Sequence, residues 1–234
     1  MNIPLSPRLQ VCAGLVAPGD RVADVGCDHG YLSIYLLKNG IAASVIASDI
    51  NEMPLQSAMR NAEKYGVNDK MSFYLSDGVR NIPRDFDTMV CAGMGADTMV
   101  SILEAAPWLR SAQYRLILQC QSKTPMLRQY LSGQGWRITE ESVVRDGRFL
   151  YTVMEVVWQP EYPRLTIGEQ YFPPALLENP AKELPEYYQN VVFRLRRALN
   201  GQGENAAPEM VAALNELELL AEDPALDWLK EESK

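Results

Sequence analysis

The segment Arg21–Leu32, RVADVGCDHGYL, constrains the fold of this chain more than any other. A short apolar run carrying Asp24 leads directly into a loop with two glycines, Gly26 and Gly30. Behind the loop, Tyr31 to Lys38 has the composition of an apolar helix. Strand, glycine turn and helix in that order make the first half of a βαβ unit. In such units the glycines let the backbone approach a ligand, and the helix start presents unpaired N–H groups. The remaining chain must then supply further parallel strands and their covering helices.

It does so at regular intervals. Ala43 to Ser48 reads as a second strand closed by Asp49, which lies 25 residues beyond Asp24. An acid about 20 residues along, after the second strand, is the usual acceptor for ribose hydroxyls. Met53 to Tyr65 reads as a helix with Leu55, Ala58, Met59 and Ala62 inward and Gly66 as its stop. Met71 to Leu75 is a third strand, with Asp77 and Gly78 at its carboxyl end. Phe86 to Ala92 is a fourth, running into Gly93-Met94-Gly95, and Asp97 is placed to cap the next helix. Tyr114 to Leu118 is a fifth, ending in Gln119-Cys120-Gln121. Thr124-Pro125 starts a helix that Gly133 and Gly135 close. Arg137 to Val144 and Phe149 to Trp158 form an antiparallel pair through Asp146-Gly147.

From Pro160 onward the pattern changes. Prolines punctuate a connecting segment, and two helical repeats follow. Tyr188, Val192, Leu195 and Leu199 mark the first; Met210, Leu214, Leu217 and Ala221 mark the second. Both step four, three, four, the seam of a coiled-coil-like pair. Gly201–Asn205 reads as the turn between them, with Pro208 near the second helix start. The expected architecture is therefore α/β. A Rossmann-like, mostly parallel sheet ending in an antiparallel hairpin fills residues 1–159, and a small helical hairpin domain fills 160–234.

Charge and composition narrow the function. The net charge of −8 opposes non-specific coating of nucleic acid, although residues 1–159 hold 16 acids against 15 bases and are nearly neutral. Arg194, Arg196 and Arg197 form a local basic edge on the first tail helix, either a solvated face or a grip on an RNA backbone. His29 is the only histidine, and the four cysteines form no CxxC pair, so no metal site is expected. No apolar run is long enough to span a membrane, and the first residues enter an amphipathic segment, Ser6 to Val16, rather than a signal peptide. A cytoplasmic protein is expected; oligomeric state is left open.

The loop also selects among ligands. A dinucleotide site calls for GxGxxG, whereas here Asp28 stands between two glycines. A carboxylate there repels a pyrophosphate and suits a cation, such as the ammonium and sulfonium of S-adenosylmethionine. Asp24, Gly26, Asp28, His29, Gly30 and Asp49 are thus candidate cofactor residues. Asp77 with Gly78 either accepts from an adenine amino group or closes a turn. Gly93 and Gly95 permit either ligand approach or tight packing, and Met94 is either cavity wall or core.

Several segments together resemble the bacterial tRNA (adenine(22)-N1)-methyltransferases, class I methyltransferases with a helical C-terminal domain. They are Leu5–Leu9, Ala23–Leu32, Ser48–Ala58, Asp77-Gly78, Ala92–Gly95 and Leu116–Gln119, with Tyr171-Phe172 and Leu176-Leu177 before the tail helices. The resemblance adds Ile50 and Ala92 to the cofactor set and makes Arg8 a candidate substrate contact beside the three tail arginines. It also implies methylation of N1 of an unpaired tRNA adenine, with Asp28, His29, Gln119 and Gln121 as active-site candidates. Where the family has Gln-Pro-Asn this chain has Gln119-Cys120-Gln121. Ser33 stands for a Pro and Ala96 for a Gly. If the family's Asn orients the target base, Gln121 is one methylene longer. Two rival readings follow from the acidic charge and the tail helices. One is a methyltransferase acting on another RNA site or a small molecule; the other is a non-catalytic RNA- or partner-binding protein on the same fold.

Overall fold

The computed structural model describes residues 3–202 and 207–230. Its centre is one seven-stranded sheet of order β3-β2-β1-β4-β5-β7-β6. The strands are β1 (Arg21–Val25), β2 (Ser44–Asp49), β3 (Met71–Leu75), β4 (Thr88–Met94), β5 (Arg115–Cys120), β6 (Trp136–Asp146) and β7 (Phe149–Trp158). The first five are parallel; β7 lies antiparallel between β5 and β6. Helices cover both faces, so the central strands are apolar almost throughout rather than alternating. One face is closed by α1 (Pro7–Leu15), α2 (Tyr31–Lys38) and α3 (Glu52–Tyr65), the other by α4 (Ala96–Glu104) and α5 (Thr124–Gly133). Strand order reverses between β1 and β4. Their carboxyl ends therefore splay apart into a crevice, the place where open α/β sheets bind ligands.

The antiparallel pair is longer than its sequence signal and carries the tail. After two short helices, α6 (Ile167–Tyr171) and α7 (Ala175–Glu178), come α8 (Leu184–Gln202) and α9 (Pro208–Leu220). Tyr188, Val192 and Leu195 of α8 meet Ala213 and Leu217 of α9 in a third apolar core. That core also takes in Val143 of β6, with Leu150 of β7 packed against it. The tail helices are thus seated on the sheet's hairpin end. Arg128 of α5 ties the seat from below. Its guanidinium, fully buried, donates to both oxygens of the equally buried Glu141 at 2.6 and 3.1 Å. It also donates to the carbonyls of Gln170 and Tyr171 and to the Tyr187 hydroxyl.

Some expectations are corrected. Met59 is exposed, because the inward stripe of α3 is only Leu55, Ala58 and Ala62. Asp97 does not cap α4; Gly95 is the N-cap residue, and Asp97 sits in the first turn paired with Lys123 at 2.8 Å. β4 starts at Thr88, since Asp87 turns aside to accept from Arg21. The segment after Pro160 is partly helical. Gly201 lies inside α8, and residues 203–205 of the expected turn lie outside the described residues.

Candidate active site

The crevice is a cavity of about 460 Å³ at the carboxyl ends of β1, β2 and β4. Asp24, Gly26, Asp28, His29, Asp49, Ile50, Asp77, Gly78, Ala92, Gly93, Met94, Gln121 and Arg8 all line it. Apart from Arg8 of α1, these residues meet because each lies at or just beyond the carboxyl end of a strand. Gly30, Gly95 and Gln119 do not line the cavity. The Arg194–Arg197 edge lies on α8, away from it.

The loop after β1 is shaped from within. Gly26 and Gly30 take positive φ, +73° and +71°, and even Asp28 is left-handed at +51°. A side chain at Gly30 would press on Ala58 of α3 at 3.0 Å, so this glycine serves helix packing. The amides of Gly26 and Cys27 both donate to the Ser48 carbonyl, at 2.8 and 2.9 Å. The Asp28 amide donates to Asp49 Oδ2 at 3.2 Å, and the Gly30 amide to the Cys27 carbonyl at 2.8 Å. These four N–H groups are already engaged and cannot cradle a phosphate, which distinguishes the loop from a dinucleotide turn.

Four carboxylates, Asp24, Asp28, Asp49 and Asp77, face the cavity, against the cations Arg8 and, when protonated, His29. Asp49, largely buried, also accepts the Asn51 amide at 2.8 Å, which fixes its plane while leaving lone pairs free for hydroxyl donors. Asp24 is buried in β1 and accepts the Ser33 hydroxyl at 2.6 Å; burial pushes its pKa up from 3.8 to about 6. Asp28 and His29 are both well exposed at the rim, 3.6 Å apart. The chemistry of this donor set fits a cationic ligand with vicinal hydroxyls, as S-adenosylmethionine is.

Across the crevice, Gly93 (φ +83°) sits in a bulge of β4, and its amide donates to Gln119 Oε1 at 3.0 Å. Arg8 Nη1 donates to the same oxygen at 2.9 Å, while Arg8 Nε pairs with Asp146 of the hairpin at 3.2 Å. Gln119 is 0% exposed, and its amide nitrogen donates to the Cys120 carbonyl, so it orders the wall rather than forming it. The sequence suggests a catalytic residue here; the structure places its side chain behind the cavity wall. Gln121, two residues on, reaches the cavity. Tyr31, Asn51, Ser76 and Thr98 also line it and do not stand out in the sequence as site residues. Thr98 has a readable signal, since it falls in the first helical turn after the second glycine loop. All four cysteines are free and buried, and burial raises their pKa values, so none is a ready nucleophile. Among the described residues no group of three or more His, Cys, Asp or Glu could hold a metal, and no helix is long and apolar enough to cross a membrane.

The chain is similar to known proteins. Residues 5–154 match the methyltransferase domain family. The tRNA (adenine(22)-N(1))-methyltransferase of Bacillus subtilis is 33% identical over 154 residues, a match spanning 65% of each chain. The solved B. subtilis m1A22 tRNA methyltransferase TrmK superposes with a TM-score of 0.77 at 26% identity, covering 98% of this chain and 100% of that one. A Streptococcus pneumoniae protein solved in complex with S-adenosyl-L-methionine gives a TM-score of 0.79 at 27% identity, covering 91% and 97%.

Proposed function

Because the chain belongs to the methyltransferase-domain family, among its bacterial tRNA (adenine(22)-N1)-methyltransferases, we propose that it methylates N1 of an unpaired adenine in tRNA. The observation that carries this reading is the carboxylate-lined crevice whose loop amides are already engaged, since it suits a sulfonium donor and not a dinucleotide. When bound there, S-adenosylmethionine supplies an electrophilic methyl group. Asp49 would hold the ribose hydroxyls beside Ile50, Asp77 the adenine edge, and Asp24 and Asp28 the cationic end. Gly26, Gly78, Ala92, Gly93 and Met94 would line its seat.

The chain's own work at the acceptor is to position it. Adenine N1 has a free lone pair and loses no proton, so no strong base is required, and orientation and exclusion of water dominate. Gln121, His29 and the Gly93 bulge would form the wall met by the base. Arg8 and Gln119 hold that wall from behind. N1 lies on the pairing edge, so the nucleotide must be turned out of its stack. Arg194, Arg196 and Arg197 would meet the tRNA backbone. A cytosolic location follows from the substrate.

Labelled S-adenosylmethionine and unmodified bacterial tRNA, followed by mapping of methylated positions, tests the activity. Label at N1 of one unpaired adenine is expected; cofactor binding with no transfer to any tRNA would overturn the substrate. At the donor site, Asp49→Asn should weaken S-adenosylmethionine binding about 10- to 100-fold, through the loss of charge-assisted hydroxyl bonds. Calorimetry showing unchanged affinity would remove Asp49 from the set.

A further inference from the structure

A second cavity, of about 380 Å³, opens on the other side of Gln121, bounded by the start of α5, the hairpin strand β7 and helix α8. Gln121 lines both cavities. The linings are opposite in character. The donor crevice has four carboxylates; the second cavity has none, and its charged residues are Lys123 and Arg194. In a chain of net charge −8 that is a local reversal. Tyr151, Tyr171 and Tyr187 contribute rings to the lining. Tyr187 is braced on its far end by Arg128, so its ring is held in place. Thr152 also lines the cavity, and its buried hydroxyl has no hydrogen-bond partner among the described residues. Arg194 is exposed and in no ion pair among the described residues, whereas Lys123 is paired with Asp97.

We propose that this cavity seats a second unpaired nucleotide of the RNA, next to the one being methylated, with its base among the tyrosines and its phosphate at Arg194. The inference rests on the tRNA reading above and extends it from one nucleotide to two. Aromatic faces accept any base by stacking, and a cation at the mouth takes the phosphate. The methylated base itself must present N1 to the donor crevice. A cavity separated from that crevice by the Gln121 wall therefore takes a neighbour. Holding the neighbour out of its stack keeps the target nucleotide turned out as well.

Two variants of opposite kind test this: Ala198→Trp, which fills the cavity from α8, and Tyr151→Ala, which removes a ring. Each is compared with wild type for binding of an unmodified tRNA transcript, for KM and kcat of methylation, and for S-adenosylmethionine affinity by calorimetry. A thermal melt confirms that each is folded. Both variants should raise the Kd and KM for tRNA about tenfold, within the range set by loss of one stacked base, while cofactor affinity stays within about twofold. Wild-type tRNA binding and methylation in both variants would overturn the proposal and leave the function intact. Should wild type bind the cofactor yet methylate no tRNA, the function falls instead, and unchanged tRNA affinity in the variants would still overturn the cavity.

Discussion

Asp24 is a carboxylate held in β1 by burial, and it accepts a hydrogen bond from the Ser33 hydroxyl. Its pKa, raised to about 6, makes it a pH-sensitive element of the donor crevice. The sign follows from linkage. A folded-state value above the unfolded one means that its contribution to stability is complete below pH 4 and lost as pH rises through about 6, on the order of 3 kcal/mol. A cation bound nearby favours the charged form and expels the proton. S-adenosylmethionine affinity should therefore fall as pH drops below about 6, approaching tenfold per unit, and Asp24→Asn should flatten that dependence. Calorimetry across pH 5 to 8 measures it; a flat wild-type profile would sink the role. The acid itself is legible in the sequence, because an Asp inside an apolar strand before a glycine loop has few other uses. Its partner is not, since Ser33 reads as an ordinary residue one turn into a helix. Gln119 misleads for a related reason. Strand alternation points residues 119 and 121 to the same side only while the strand continues, and β5 ends at Cys120. Residue 119 stays in the sheet's interior while 121 turns out to the cavity.

Among the elements, the hairpin β6–β7 and helix α5 hold what the sequence conceals. An Arg on an amphipathic helix ordinarily reads as its solvent face, and Glu140-Glu141 in a strand reads as an edge. Instead Arg128 and Glu141 face each other in the interior. Their distance along the chain, with a turn between them, leaves no periodic signal. Removing one partner strands a buried charge, so Glu141→Leu or Arg128→Met should each lower stability by about 3–5 kcal/mol, read from chemical denaturation. The double substitution should recover much of that loss. If each single variant were as stable as wild type, the pair would hold nothing together. The parallel strands, by contrast, can be placed from sequence to within a few residues, because a short apolar run between glycine or proline signals is a strong pattern. The tail helices α8 and α9 are also legible from their four-three spacing, though not the surface they sit on. That surface is built from Val143 and Leu150, whose apolar character reads as belonging to the hairpin alone.

For the molecule as a whole, two regions of unlike charge share one body. The crevice gathers carboxylates for a cation, while the basic edge of α8 faces outward from a mostly acidic tail. The three arginines are not equal. Arg196 is bound to Glu218 at 2.7 Å, whereas Arg194 and Arg197 are exposed and make no ion pair among the described residues. Replacing Arg194 and Arg197 by Gln should weaken tRNA binding and reduce its salt slope by about two, roughly one unit for each phosphate no longer neutralised. The same change at Arg196 should do less, and cofactor affinity should not move. Filter binding from low to physiological salt distinguishes these; an unaltered slope would assign the edge to solvent.

The buried guanidinium of Arg128 joins α5, β6, α6 and α8 in one cluster, which ties the arginine-bearing helix to the sheet that forms the crevice. On the proposed function, such a body would work as a ruler, selecting a nucleotide by its distance from the gripped backbone more than by the letters around it. Inserting one base pair between the gripped stem and the target adenine should then move methylation to whichever unpaired adenine now lies at that distance, or abolish it. Changing the stem's sequence at constant length should leave it in place, and primer extension on the two transcript sets decides between them.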